Sequence, residues 1–105
     1  MNYREEVLKT VNVKLNQLEL LINATLGLAG EAGEVSDVVK KYIFHKHVLN
    51  KDELIKELGD CLWYIEVISH ILEISTEEVK KRNIEKLRKR YPNGFTEEAS
   101  INRNE

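Results

Sequence analysis

The sequence predicts an all-α fold, a four-helix bundle-like domain that assembles into a homo-oligomer. In four segments, apolar residues recur at the spacing i, i+3, i+4 and i+7, which places them on one face of a helix. Alternation of β-branched residues, which would indicate strands, is absent over any useful length. Proline occurs once, at Pro92, close to the end of the last segment. These observations indicate helices that are joined by short connections.

The first three helices follow from this spacing. The first is predicted from about Tyr3 to Val11, and the second from about Leu18 to Phe44. The third begins near Asp52, and its apolar positions continue to Leu72.

The fourth helix has clear signals at both ends. It begins at Ser75 or Thr76, because either hydroxyl can cap the first turn. It ends at Tyr91, because the run from Pro92 to Gly94 is a strong helix breaker.

Length and composition predict one domain. A chain of 105 residues without a shift in composition holds one domain, placed at residues 1–95, followed by a polar, extended tail at residues 96–105. The net charge of −2 creates no field that favours nucleic acid or membrane, so we expect neither as a partner. The single cysteine, Cys61, excludes an internal disulfide and suits a reducing cytoplasm, where we expect the protein to act.

The third helix is apolar around much of its circumference. A helix of this kind must be buried on most sides, which is difficult in so small a chain. We therefore expect a homo-oligomer built through helix packing. The alternative is a central helix that is well covered within a monomer.

Two acidic pairs are the candidate functional residues. Glu31 and Glu34 lie three apart in the second helix, and Glu57 and Asp60 lie three apart in the third. A spacing of three puts each pair on one helix face, and antiparallel packing would bring the pairs together. Such pairs are also common on solvated helices. Here, however, apolar residues, cysteine or tyrosine follow at i+4, where a solvated acidic face usually has Lys or Arg.

Four converging carboxylates would repel one another, and burial would add to the cost. A divalent cation removes both problems, and an all-oxygen ligand set favours magnesium or manganese over zinc. Glycines accompany the acids at positions 27, 30, 33 and 59. They indicate either close helix packing or room for a ligand near the backbone.

Four further residues are candidate substrate contacts. Asn83 and Lys86 share one side of the fourth helix and could reach phosphate oxygens, and Lys41 is a weaker candidate for the same role. The basic residues of that helix are otherwise explained as a solvated face near its negative end. Trp63 follows Asp60 by three positions and could stack on a base, or it could be a core or interface aromatic.

These residues resemble a known family. The order Glu-x-x-Glu, a helical connection and Glu-x-x-Asp is the signature of the all-α nucleoside triphosphate pyrophosphohydrolases, and the chain resembles their single-domain MazG-like branch. The flanking residues 26–35, 57–64 and 83–92 agree, and the likeness extends from about Tyr3 to Phe95.

The resemblance implies hydrolysis of a (deoxy)nucleoside triphosphate between its α and β phosphates, for removal of non-standard or surplus nucleotides. It implies that Glu31, Glu34, Glu57 and Asp60 bind Mg²⁺, with Mn²⁺ as a possible substitute. A carboxylate beside a metal-bound water could act as general base, and we expect Glu34 or Glu31 in that role. The resemblance also implies a homodimer or homotetramer. Two alternatives stay open: a phosphoribosyl-ATP pyrophosphatase, and a non-catalytic helical oligomer that binds a nucleotide or a protein partner.

Overall fold

The computed structural model describes residues 2–103, and this part of the chain consists of helices without any strand. The predicted all-α class is therefore confirmed, but residues 2–103 form five helices and not four. The helices are α1 (Tyr3–Leu8), α2 (Gln17–Phe44), α3 (Lys51–Ile71), α4 (Thr76–Arg90) and α5 (Glu97–Ile101).

Each helix begins where the sequence supplies a capping side chain. In every case an Asn, Ser or Thr accepts a hydrogen bond from the backbone N–H three residues later, which satisfies a donor that the helix leaves unpaired. In α2 the cap is reciprocal, because Glu19 also accepts from the N–H of Asn16. The five N-cap residues are Asn2, Asn16, Asn50, Ser75 and Thr96.

Two predicted segments differ from the structure. Helix α1 ends at Leu8 and not near Val11, because the backbone turns at Thr10, whose hydroxyl donates to the carbonyl of Val7 at 2.6 Å. The segment 96–105 is not wholly extended, because Thr96 caps the short helix α5. The acidic residues that made this segment look like a solvated tail are also the residues that stabilise a first helical turn.

The chain divides after Glu73 into two compact units. In the first unit, α2 and α3 run antiparallel. Gln17 at the start of α2 donates from its side chain to the carbonyl of Ile71 at the end of α3, at 3.3 Å. Helix α1 lies against α3, where the guanidinium of Arg4 donates to the buried carboxylate of Glu66 at 2.7 Å.

The core of the first unit is small. Each of its three helices contributes one fully buried apolar residue, Val7, Ala24 or Val67. In contrast, one apolar surface of α2 and α3 remains uncovered, with side chains that are between 50% and 69% exposed. We call this surface the apolar face; its members are Leu18, Ile22, Leu26, Ile55, Leu58 and Leu62.

The second unit contains α4, a tight turn and α5. The turn follows Tyr91 and includes Gly94 at φ +84°, a left-handed conformation that glycine adopts without strain. Among the described residues, no helix is both long enough and apolar enough to cross a membrane.

Candidate metal centre

Three of the four predicted acids converge in the first unit. Glu31 of α2 meets Glu57 and Asp60 of α3, and one carboxylate oxygen of each lies within 4.8 Å of the other two. Glu57 and Asp60 lie one turn apart on the same side of α3, and the antiparallel arrangement brings Glu31 opposite them. Glu31 and Glu57 are half-buried, whereas Asp60 is exposed. The cluster is therefore partly shielded from solvent at Glu31 and Glu57 and open to solvent at Asp60.

The fourth predicted acid, Glu34, is not in that cluster. It lies one turn further along α2, is exposed, and lines a neighbouring cavity of about 260 Å³ together with Lys41 and Glu53. Lys41 pairs with Asp37 at 2.9 Å, and the hydrogen bond and charge of Asp37 raise the pKa of Lys41. Weaker contributions to this pKa come from Glu34 and Glu53. Lys41 is thus a cation beside Glu34 and Glu53, but it is paired with Asp37.

The surroundings of Glu57 are unfavourable for its ionised carboxylate. Among residues 2–103, its Oε2 atom is shielded from solvent and receives no hydrogen bond from an ordinary donor. Its nearest groups are other carboxyls, and two carboxyls can form a hydrogen bond only by sharing a proton. The hydrogen bond to Glu31, followed by desolvation and by the charges of Glu31 and Glu53, raises the pKa of Glu57 to about 7.

This chemistry fits a hard divalent cation. The donor atoms are all carboxylate oxygens, which are the ligands that Mg²⁺ and Mn²⁺ prefer. The shielded Oε2 of Glu57 lacks a donor, and a cation would satisfy it as well as a proton does. Among residues 2–103, Glu31, Glu57 and Asp60 are therefore the group that could hold such an ion.

An aromatic cavity adjoins the acids. It has a volume of about 300 Å³ and is lined by Glu31, Asp60, Trp63, Tyr64 and Thr10. The rings of Trp63 and Tyr64 meet edge to face, with centroids 4.9 Å apart. Trp63, which the sequence suggested as a base-stacking residue, thus lies directly beside two of the acids. The cavity is therefore lined by both aromatic rings and carboxylates.

The glycines near the acids have different roles. A methyl group on Gly27 would collide with the ring of Tyr64, so this glycine permits close helix packing. At Gly30, Gly33 and Gly59, an added methyl group would meet no described atom within 4 Å. Close packing within the chain therefore explains Gly27 but none of the other three.

Two residues of the site escaped the sequence analysis. Thr10 lines the aromatic cavity and accepts a hydrogen bond from Nε1 of Trp63 at 2.8 Å, and nothing in the local pattern marks it. Glu53 lies one turn before Glu57 on α3, and its carboxyl contributes to the raised pKa of Glu57. The i, i+4 spacing of Glu53 and Glu57 was the signal that could have identified Glu53.

The two predicted contacts on α4 lie in the second unit. Asn83 and Lys86 are both exposed, three residues apart on one side of that helix. Their contact with a substrate stays a prediction.

Comparison with known proteins adds independent information. Residues 21–95 match the family model described as the MazG nucleotide pyrophosphohydrolase domain. The chain is also 36% identical over 92 residues to a protein of Mycobacterium phage L5 named "Gene 37 protein", a match that covers 84% of this chain and 81% of the phage protein. No solved structure shows a significant match.

Proposed function

The chain belongs to the MazG nucleotide pyrophosphohydrolase family, and on that premise we propose that it hydrolyses a (deoxy)nucleoside triphosphate to a monophosphate and pyrophosphate. The observation that carries the proposal is the meeting of Glu31, Glu57 and Asp60 beside an aromatic cavity. Carboxylates that hold a cation suit a polyphosphate, and an aromatic wall suits a base. The polyphosphate and the base of one nucleotide could therefore bind at neighbouring positions.

Glu31, Glu57 and Asp60 would hold Mg²⁺, or Mn²⁺ in its place, and Glu34 would complete the ligand set if its side chain turned toward the cluster. A bound cation supplies positive charge that stabilises the phosphate oxygens while the α–β bond breaks. The protein's part is to fix the position of the carboxylates. It does so through two helices, whose backbones are far more rigid than a loop.

The reaction adds water across the α–β phosphoanhydride bond, so one proton of that water must be accepted by a base. Glu34 is our first candidate, because it is exposed, adjoins the cluster and lies outside the group of three acids. Glu31 is the alternative.

The base of the nucleotide would occupy the aromatic cavity against Trp63 and Tyr64. Lys41, Asn83 and Lys86 would contact the phosphate oxygens. Lys41 is held by Asp37 at the far end of the acidic residues, a position that suits the outer phosphates better than the base. Removal of non-standard or surplus nucleotides from a cytoplasmic pool is the role that we assign to the reaction.

We further propose that the active protein is a homodimer or homotetramer. The apolar face consists of six Leu and Ile side chains on α2 and α3 that are between 50% and 69% exposed, and soluble monomers rarely expose large apolar patches. We propose that a second copy of the chain covers the apolar face, because the family resemblance implies a homodimer or homotetramer.

The experiment is a direct assay of the purified chain with Mg²⁺. A panel of NTPs, dNTPs and phosphoribosyl-ATP is offered, and both the monophosphate and pyrophosphate are quantified. We expect equal amounts of the two products from at least one dNTP or NTP. Preference for phosphoribosyl-ATP would identify the phosphoribosyl-ATP pyrophosphatase alternative, and no pyrophosphate from any compound would support the non-catalytic alternative.

Variants locate the activity in the cluster. Asp60→Asn should reduce kcat by at least about a hundredfold, since removing even a supporting residue of a metal site costs about 10- to 100-fold. Glu5→Gln, which neutralises an exposed carboxylate in the first turn of α1, is the matched control and should leave turnover near the wild-type value. Equal turnover in the two variants would remove Asp60 from the mechanism.

A further inference from the structure

A chain of two hydrogen bonds connects the aromatic cavity to α1. Nε1 of Trp63 donates to the hydroxyl of Thr10 at 2.8 Å, and that hydroxyl donates to the carbonyl of Val7 at 2.6 Å. An indole has one donor and no acceptor, so the bond to Thr10 uses the whole hydrogen-bonding capacity of Trp63. Trp63 can therefore contact a substrate only through its ring.

The end of this chain of hydrogen bonds is firmly anchored. Val7 is 3% exposed and belongs to the core of the first unit. The neighbouring Arg4 pairs with Glu66, which is 5% exposed, so α1 is attached to α3 by apolar packing and by a charged hydrogen bond. Thr10 thus presents its hydroxyl from a fixed position.

Trp63 is also restrained on its other side. Its ring meets the ring of Tyr64 at an interplanar angle of 84°, and Tyr64 in turn packs against the backbone of α2 at Gly27. The indole plane is held between Thr10 and Tyr64. Trp63 also packs against the core of Val7, Ala24 and Val67, and the bond to Thr10 fixes the direction of its N–H.

We propose that Thr10 is a positioning residue for substrate binding: it fixes the indole of Trp63 as the wall of the cavity beside Glu31 and Asp60. The proposal rests on the proposed function, because it takes this cavity as the seat of the nucleotide base. It assigns a role in the site to the turn that follows α1, which precedes the stretch that matches the family model. The hydroxyl acts through Trp63 and does not itself touch the reacting phosphates.

The first test compares Thr10→Val, which keeps the shape but removes the hydroxyl, with Thr10→Ser, which keeps the hydroxyl. We expect T10V to raise KM about fivefold with little change in kcat, the size expected for one lost neutral hydrogen bond. T10S should restore KM. Thr25→Val is the matched control, because Thr25 makes the same kind of local bond to the carbonyl of Ile22 at 3.0 Å without any bond to Trp63.

The second test needs no substrate. Trp63 is the single tryptophan of the chain, so intrinsic fluorescence reports on this indole alone. We expect T10V to shift the emission maximum to longer wavelength and to increase quenching by acrylamide, whereas T10S and T25V should resemble the wild type. Unchanged emission in T10V would overturn the anchoring of Trp63 by Thr10.

A double-mutant cycle with Trp63→Phe separates action through Trp63 from a general loss of structure. Phenylalanine lacks the N–H, so T10V should raise KM no further in the W63F background. An equal further increase in that background would overturn the proposal, because Thr10 would then act without Trp63. If the wild type cleaved no nucleotide, the proposed function would fail, while the emission of T10V would still decide whether Thr10 anchors Trp63.

Discussion

At the scale of single residues, Glu57 carries the largest electrostatic conflict of the site. Its Oε2 atom is shielded, its neighbours are acids, and its pKa is raised to about 7. In the folded chain without metal it therefore retains a proton that the unfolded chain has already released near pH 4.5. Between these two pH values the folded state binds more protons than the unfolded state, so the free energy of unfolding falls as pH rises.

This linkage gives a prediction for Glu57→Gln. Glutamine imitates the protonated acid at every pH, so the variant should lose the decline in stability between about pH 4.5 and about 7 that we expect of the metal-free wild type. Thermal unfolding in EDTA at several pH values measures it, and above pH 7 the variant should have the higher Tm. Mg²⁺ should raise the Tm of the wild type but not that of the variant.

The opposite result would be equally informative. If Glu57→Gln lowered the Tm at pH 8 in EDTA, the ionised carboxylate would be making a stabilising contact within the protein. The hypothesis that the Glu57 carboxylate needs a bound cation to be stable would then be wrong.

At the scale of helices, Gly27 and Gly30 lie in the same helix but have different surroundings. Both are in α2, where glycine costs about 1 kcal/mol relative to alanine. A methyl group on Gly27 meets the ring of Tyr64, and one on Gly30 meets no described atom within 4 Å. The pair therefore separates helix propensity from packing.

We predict that Gly30→Ala stabilises the chain by roughly 0.5–1 kcal/mol, since it gains helix propensity at no steric cost. Gly27→Ala should be less stable than Gly30→Ala by roughly 1–3 kcal/mol, because the ring of Tyr64 must move. Urea unfolding monitored by circular dichroism measures both values. Equal stability would show that Tyr64 moves freely and that its packing on α2 has little energetic weight.

Turnover of the same two variants tests whether the substrate occupies the space beside Gly30. If Gly30 provides room for a nucleotide, Gly30→Ala should be more stable than the wild type and yet have a higher KM. A variant that gains stability and keeps its KM would show that the space beside Gly30 is not used by the substrate.

Helix boundaries illustrate what the sequence determines. Capping residues and apolar spacing are local, so the start of α2 was predicted within one residue, and Ser75 was correctly considered as the cap of α4. Helix α5 was missed because a cap followed by two acids and few apolar residues resembles a solvated tail. The site shows the same division. The acids at spacing three were found, whereas Thr10 depends on a bond to a residue 53 positions away.

At the scale of the whole molecule, the apolar face is the feature that the single chain leaves unexplained. The buried apolar residues of the first unit are Val7, Ala24 and Val67, while the six side chains of the apolar face stay at least half exposed. Full burial of an exposed Leu or Ile contributes about 1.5–3 kcal/mol, and these side chains still have at least half of that burial to gain, so covering this face would add to a small core. Stability and assembly should therefore be coupled.

We predict that the wild type is a dimer or tetramer at micromolar concentration, measured by size-exclusion chromatography with light scattering, and that its Tm rises with protein concentration. Leu62→Glu places a charge in the apolar face at a side chain that is 56% exposed, so it should produce monomers without disrupting the core. Val13→Glu, at a position that is 87% exposed between α1 and α2, is the matched control and should leave the assembly unchanged. A monomeric wild type with a Tm independent of concentration would contradict the prediction, and the apolar face would then need another partner.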